Sequence, residues 1–307
     1  MDDMLNSTND TSSFSDDHND TPSSQSDPTL QMIRTAAYCF NALLMITGNL
    51  INLIVLPKLK NTNEPTKLLL VALAIVDLGT GIERAIFALP SSILDKWPFG
   101  RVICIIVGQL SASTVGMSLS VLVLLSLDRY VAITRPFQYL ELMTKKRAKI
   151  GILSFLIMAL SFMYPLGTDE MPMDNVVFFP TRSMCLIDFG NPGIKVWSFA
   201  LLSTTLSLIF SIAVIYVRIL LIARDAVREI AKLQPSVKRN ADGSSEEQNA
   251  SGFSRNEWKA TRITLLVTGG ISVTWLPFLI GQTWEVSTGN RLPSAADFIT
   301  LLPSTNS

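Results

Sequence analysis

The sequence predicts an all-α membrane protein, a seven-transmembrane helix bundle with the seventh helix truncated. Three observations carry this. Hydrophobic residues make up 48% of the chain and charged residues only 16%, with a mean hydropathy of +0.37, which is too apolar for an ordinary soluble protein of this length. Long uncharged runs recur, the clearest being the 26 residues from Val102 to Leu127. At 1.5 Å per residue that run makes a helix of about 39 Å against about 30 Å of hydrocarbon. Lysine and arginine alternate between loops as few, many, few, many, which places the N-terminus outside.

The same composition bears against enzyme chemistry. There is one histidine, His18, in a polar tail, and Cys39, Cys104 and Cys185 lie far apart. That argues against His-based metal sites, His-containing triads and closely spaced cysteine ligands. No Gly-rich phosphate loop occurs, and neither an enzyme nor a nucleic-acid partner is expected.

Residues 1–33 are rich in Ser, Asp, Thr and Asn and cannot bury enough surface to fold alone, so a disordered extracellular tail is expected. Asn6, Asn9 and Asn19 each begin an N-glycan acceptor triplet. The bundle is expected over 34–307, with helices near 34–57, 65–90, 100–134, 147–167, 193–224 and 256–285, and an incomplete one over 294–307. Helix one is uncharged from Thr35 to Pro57. Helix two carries Asp77 near mid-membrane, then Glu83 and Arg84. A carboxylate at that depth costs about 2.5–3.5 kcal/mol on insertion scales, so it is read as functional. Helix three has small residues on every side, including Gly108, Ser111, Ala112 and Gly116. Small residues let neighbours approach closely in lipid, which makes this the central helix. Basic loops follow it at Arg135 and Lys145 to Lys149, and again over 224–262. Within helix six, Pro277 removes a backbone hydrogen bond and kinks the helix, so the half beyond it can swing.

Asp128-Arg129-Tyr130, at the inner end of a long span with a cysteine near its outer end, resembles the signature of the rhodopsin-like (class A) G-protein-coupled receptors. The text from Ser126 to Pro136 is similar to their amine-receptor branch. The resemblance implies a receptor at the plasma membrane that passes an extracellular signal, such as a small molecule, to a cytosolic heterotrimeric G protein. At rest Arg129 would pair with Asp128 and with Glu257 on helix six; on activation helix six swings about Pro277 and Arg129 turns toward Tyr216. Trp275, Pro277 and Phe278 resemble the family's rotamer switch and hinge. Asp77, with Asn49, resembles a polar core that holds an allosteric sodium ion, with no other cofactor or metal implied. A bond from Cys185 to Cys104 would contribute on the order of 4–5 kcal/mol by loop entropy, with Cys39 left free.

Departures from the family's pattern matter as much. Amine receptors place an aspartate on helix three where this chain has Ser111, so an amine bound there would lack its charge partner. Glu83 and Arg84 are candidate replacements, and with Ser111 and Phe278 they form the expected ligand pocket. Helix five has Leu208 where a proline is usual. An opsin-type lysine is absent, since none follows Lys259. The final run from Ser294 to Ser307 makes about 21 Å of helix, short of the bilayer, and the family's Asn-Pro-x-x-Tyr does not appear. A fragment of a longer reading frame is therefore expected. The rival readings are a non-signalling truncated receptor or decoy and, behind it, a transporter.

Overall fold

The structure is a computed structural model that describes residues 28–59, 62–161, 175–188, 195–240 and 279–288. Among the described residues, three helices are long and apolar enough to cross a membrane, over Pro28–Lys58, Gly100–Thr134 and Val196–Ile222.

Helix α1 runs Pro28–Val55. It begins inside the stretch expected to be a disordered tail. Arg34 marks the outer limit of the uncharged run, yet its side chain is buried because Asp95 pairs with it at 2.6 Å and the Pro180 carbonyl accepts from it at 2.6 Å. A charge so partnered does not end a helix, and Pro28 opens it at a position where no amide hydrogen is missed.

Helix α2 runs Glu64–Glu83, passes through a wide π turn at Arg84–Ala88, and resumes over Leu89–Leu94. The sequence predicts an end at Pro90 instead. The Leu89 amide donates to the Arg84 carbonyl across the wide turn, and this local widening accommodates a proline that can neither donate nor sit under a normal α turn. Asp95 then ends the helix in the left-handed conformation, at φ 49°.

Helix α3 runs Gly100–Thr134, α4 Lys145–Ser161 and α5 Lys195–Asn240. A further helical piece, α6, covers 279–288. The expectation for helix five stops at 224; the polar, basic sequence beyond that point continues the same helix out of the apolar window. Burial identifies the central element: 44% of the apolar window of α3 lies inside the bundle, against 22% for α1 and 17% for α5. Where α1 meets α2, a side chain at Gly81 would come within 3.0 Å of Met45 Cβ. The missing Cβ sets that close approach.

Between α4 and α5 lies an antiparallel hairpin, β1 Val176–Phe179 and β2 Met184–Ile187, with Phe178 opposite Cys185. The bond between Cys104 and Cys185 ties it to the outer end of α3 across 81 sequence positions. Cys39 is a free thiol. Val176, Cys185 and Ile187 pack with Cys104 and Ile105 in one apolar cluster. A methyl at Gly108 would meet Val176 Cγ1 at 2.6 Å and the Cys185 carbonyl at 3.2 Å, so the hairpin seats directly on the helix backbone.

Candidate functional site along the central helix

Three polar sites lie along α3, at its inner end, its middle and its outer third. Cys104 and Arg129 are 25 residues apart, about 37 Å along a helix axis, so the cystine and the arginine mark opposite faces of a bilayer.

At the inner end Asp128 is fully buried and satisfied from three directions. Arg129 Nη2 lies 3.0 Å from its Oδ2, Thr66 of α2 donates to the same oxygen at 2.8 Å, and the Tyr139 hydroxyl donates to Oδ1 at 2.6 Å. Arg129 also donates to Thr66 at 2.9 Å. A buried carboxylate is tolerated when its lone pairs are so occupied. Burial and then the bond to Asp128 push the Tyr139 phenol above its ordinary range. The arginine side chain keeps 26% of its surface open, so it is tethered but still reachable at the end of the helix. Nearby, Glu64 bonds Lys145 and Lys67 at 3.2 Å each, and these contacts hold its carboxyl below the usual range.

Tyr130 and Tyr216 meet in a second inner cluster with Val123, Ile212 and Ile219, where Leu208 of α5 also packs. Tyr216 is buried. Glu257 lies outside the described residues, as do Trp275, Pro277 and Phe278, and Asn6, Asn9 and Asn19.

Mid-bundle, Asp77 is buried and accepts from Ser118 of α3 at 2.9 Å. Asn49, expected in the same polar core, donates one amide hydrogen to the Met45 carbonyl one turn back on α1, at 2.9 Å. Sequence reasoning does not single out Ser118; a serine among many small residues on this helix carries no mark of its own.

In the outer third, Ser111 of α3 donates to Glu83 Oε1 of α2 in a short hydrogen bond. A carboxylate from the neighbouring helix thus lies against Ser111. Arg84 departs the other way, with Asn41 of α1 accepting from it at 3.4 Å. Above this level the hairpin closes the outer face. Tyr38 donates to the Arg182 carbonyl, and Arg182 pairs with Glu285 of α6 at 3.3 Å with both side chains almost wholly buried. Among the described residues no group of three or more His, Cys, Asp or Glu side chains could hold a metal ion.

Residues 48–307 match the family profile described as 7 transmembrane receptor (rhodopsin family). Among curated relatives, trace amine-associated receptor 6 of Mus musculus is 26% identical over 280 residues, covering 87% of this chain and 76% of the relative. Trace amine-associated receptor 8b of Rattus norvegicus is 26% identical over 271 residues, covering 87% and 77%. Trace amine-associated receptor 7f of Mus musculus is 24% identical over 271 residues, covering 87% and 73%.

Proposed function

This chain belongs to the 7 transmembrane receptors of the rhodopsin family, receptors rather than enzymes, and from that premise we propose that it relays an extracellular small-molecule signal to a heterotrimeric G protein. The observation that carries the reading is the inner polar knot, in which a partly open Arg129 is tied to buried Asp128 at the cytosolic end of the central helix. Such a knot supplies two packings with a free-energy gap between them. A ligand moves that balance only by its differential affinity for the two.

In the resting state Arg129 is held by Asp128 and Thr66, and Glu257 of helix six adds a second acidic partner. In the active state helix six swings about Pro277, with Trp275 and Phe278 repacking, and Arg129 moves toward Tyr216 to receive the G protein. Asp77 and Ser118 offer oxygen donors of the kind a sodium ion takes, and together with Asn49 of α1 they are the residues that would hold it, favouring rest.

The orientation has the cystine and hairpin outside, at the plasma membrane, with Asn6, Asn9 and Asn19 glycosylated. Disulfides persist in oxidising compartments, and Lys145, Lys146, Arg147 and Lys149 cluster at the opposite end as the positive-inside bias requires. The relatives' names carry the words trace amine, and a small organic ligand suits the polar contact between Glu83 of α2 and Ser111 of α3. The test is a paired assay in membranes carrying the receptor: nucleotide exchange on added G protein against ion flux. Exchange without flux supports the reading, and flux without exchange favours a transporter.

A further inference from the structure

We propose that Glu83, delivered from α2 onto Ser111 of α3, is the counter-ion for a small primary-ammonium ligand. This rests on the receptor reading above and names the ligand class of its outer site.

Glu83 is only 5% exposed, yet its carboxylate is half served. Oε1 accepts from Ser111, while Oε2 is buried with no hydrogen-bond partner among the described residues. A buried carboxylate oxygen left without a donor is costly, and an ammonium brings both the missing donor and the opposite charge. The backbone supports the placement. The π turn of α2 begins at Arg84, the residue after Glu83, and wide turns of this kind recur at functional sites. Glu83 closes the regular part of the helix and faces α3, while Arg84, the first residue of the wide turn, reaches Asn41 of α1.

Small, part-exposed residues follow inward of this contact on α3. Every residue of α3 from Ser111 to Gly116 is part-exposed although the helix is central, and a Cβ at Gly116 would meet nothing within 4 Å. One turn further out the hairpin sits on Gly108. The Glu83–Ser111 contact thus lies between the hairpin on its outer side and small side chains on its inner side.

The experiment reads binding on purified receptor in detergent, with no G protein present, so a failure of coupling leaves its outcome unaffected. The probes are 2-phenylethylamine, isopentylamine and 1,4-diaminobutane, each set against the matching alcohol or diol, with thermal stabilisation as readout. At least one amine is expected to stabilise saturably where its alcohol does not, and Glu83→Gln to weaken its apparent affinity by about thirtyfold or more. Adding Ser111→Asp to Glu83→Gln restores a carboxylate across the same contact and is expected to recover most of that loss, which a merely structural role for Glu83 would not allow. If Glu83→Gln fails to form the Cys104–Cys185 bond, Ser111→Ala reads the same contact and should weaken the amine by roughly three- to tenfold. Stabilisation by none of the amines, or an affinity indifferent to Glu83→Gln or to Ser111→Ala, overturns the proposal.

Discussion

Tyr139→Phe removes one hydroxyl and keeps the ring that packs, 5% exposed, under the inner end of α3. The lost bond is the 2.6 Å contact to Asp128 Oδ1, and a hydrogen bond to a buried charged group is worth about 1.5–3 kcal/mol. If the active state releases Asp128 from this contact, the whole of that loss falls on the resting state. At 1.4 kcal/mol per factor of ten, the resting-to-active ratio falls by about tenfold or more. With the active form starting as a minor state, ligand-free nucleotide exchange should rise by about the same factor until the active form dominates. The assay is guanine-nucleotide loading of added G protein by membranes matched for receptor number. Lys145→Ala is the control, since it breaks only the exposed contact to Glu64, and exposed pairs contribute little. Basal exchange in Tyr139→Phe indistinguishable from that of Lys145→Ala would refute the idea that the phenol holds the resting knot.

Other consequences concern the outer face and the titration of the knot. Non-reduced peptide mapping should recover Cys104 joined to Cys185 and Cys39 as a free thiol; a linkage through Cys39 would contradict the orientation. Gly108→Ala should destabilise the receptor by about 1–3 kcal/mol, the usual range for overpacking, seen as a lower unfolding midpoint, because the new methyl would come within 2.6 Å of Val176 Cγ1 and 3.2 Å of the Cys185 carbonyl. An unchanged midpoint would mean that the hairpin is not seated there. In an ultraviolet titration, Tyr139→Phe should lose one of the tyrosines that ionise above the ordinary value of 10.0. Because its folded value is raised, its contribution to stability is intact below about pH 10 and lost only as pH rises through the folded value.

The fold class is legible because a bilayer demands something a sequence displays directly: uncharged runs long enough to span, with basic residues between them. The run from Val102 to Leu127 needs no partner to be recognised. What escapes is whatever depends on a partner far away in sequence. Arg34 looks like the edge of a span and is a buried helix residue, since Asp95 and Pro180 supply what water would have. Pro90 looks like a terminus, and a wide turn just before it carries the helix past it. The hairpin leaves no signal because Val176–Phe179 and Met184–Ile187 are too short to show a period, and distant partners fix where they lie: the cystine, Gly108, and the bonds from Arg34 and Tyr38 to the turn. The candidate site divides the same way. Asp128 and Arg129 are adjacent in the chain and can be read as a pair, whereas Thr66 and Tyr139 complete the knot from other elements. Glu83 and Ser111 each stand out in the sequence, but their contact depends on how α2 packs against α3, which neither residue displays.

The central claim is that Arg129, held by Asp128 at the inner end of α3, is the switch through which this receptor acts on a G protein. Nucleotide exchange by wild-type receptor and by Arg129→Ala, at equal surface expression, tests it most directly. The account predicts exchange by the wild type and its loss in Arg129→Ala, with surface expression nearly unchanged because the side chain is partly open to the cytosol. Exchange in Arg129→Ala equal to that of the wild type would contradict it.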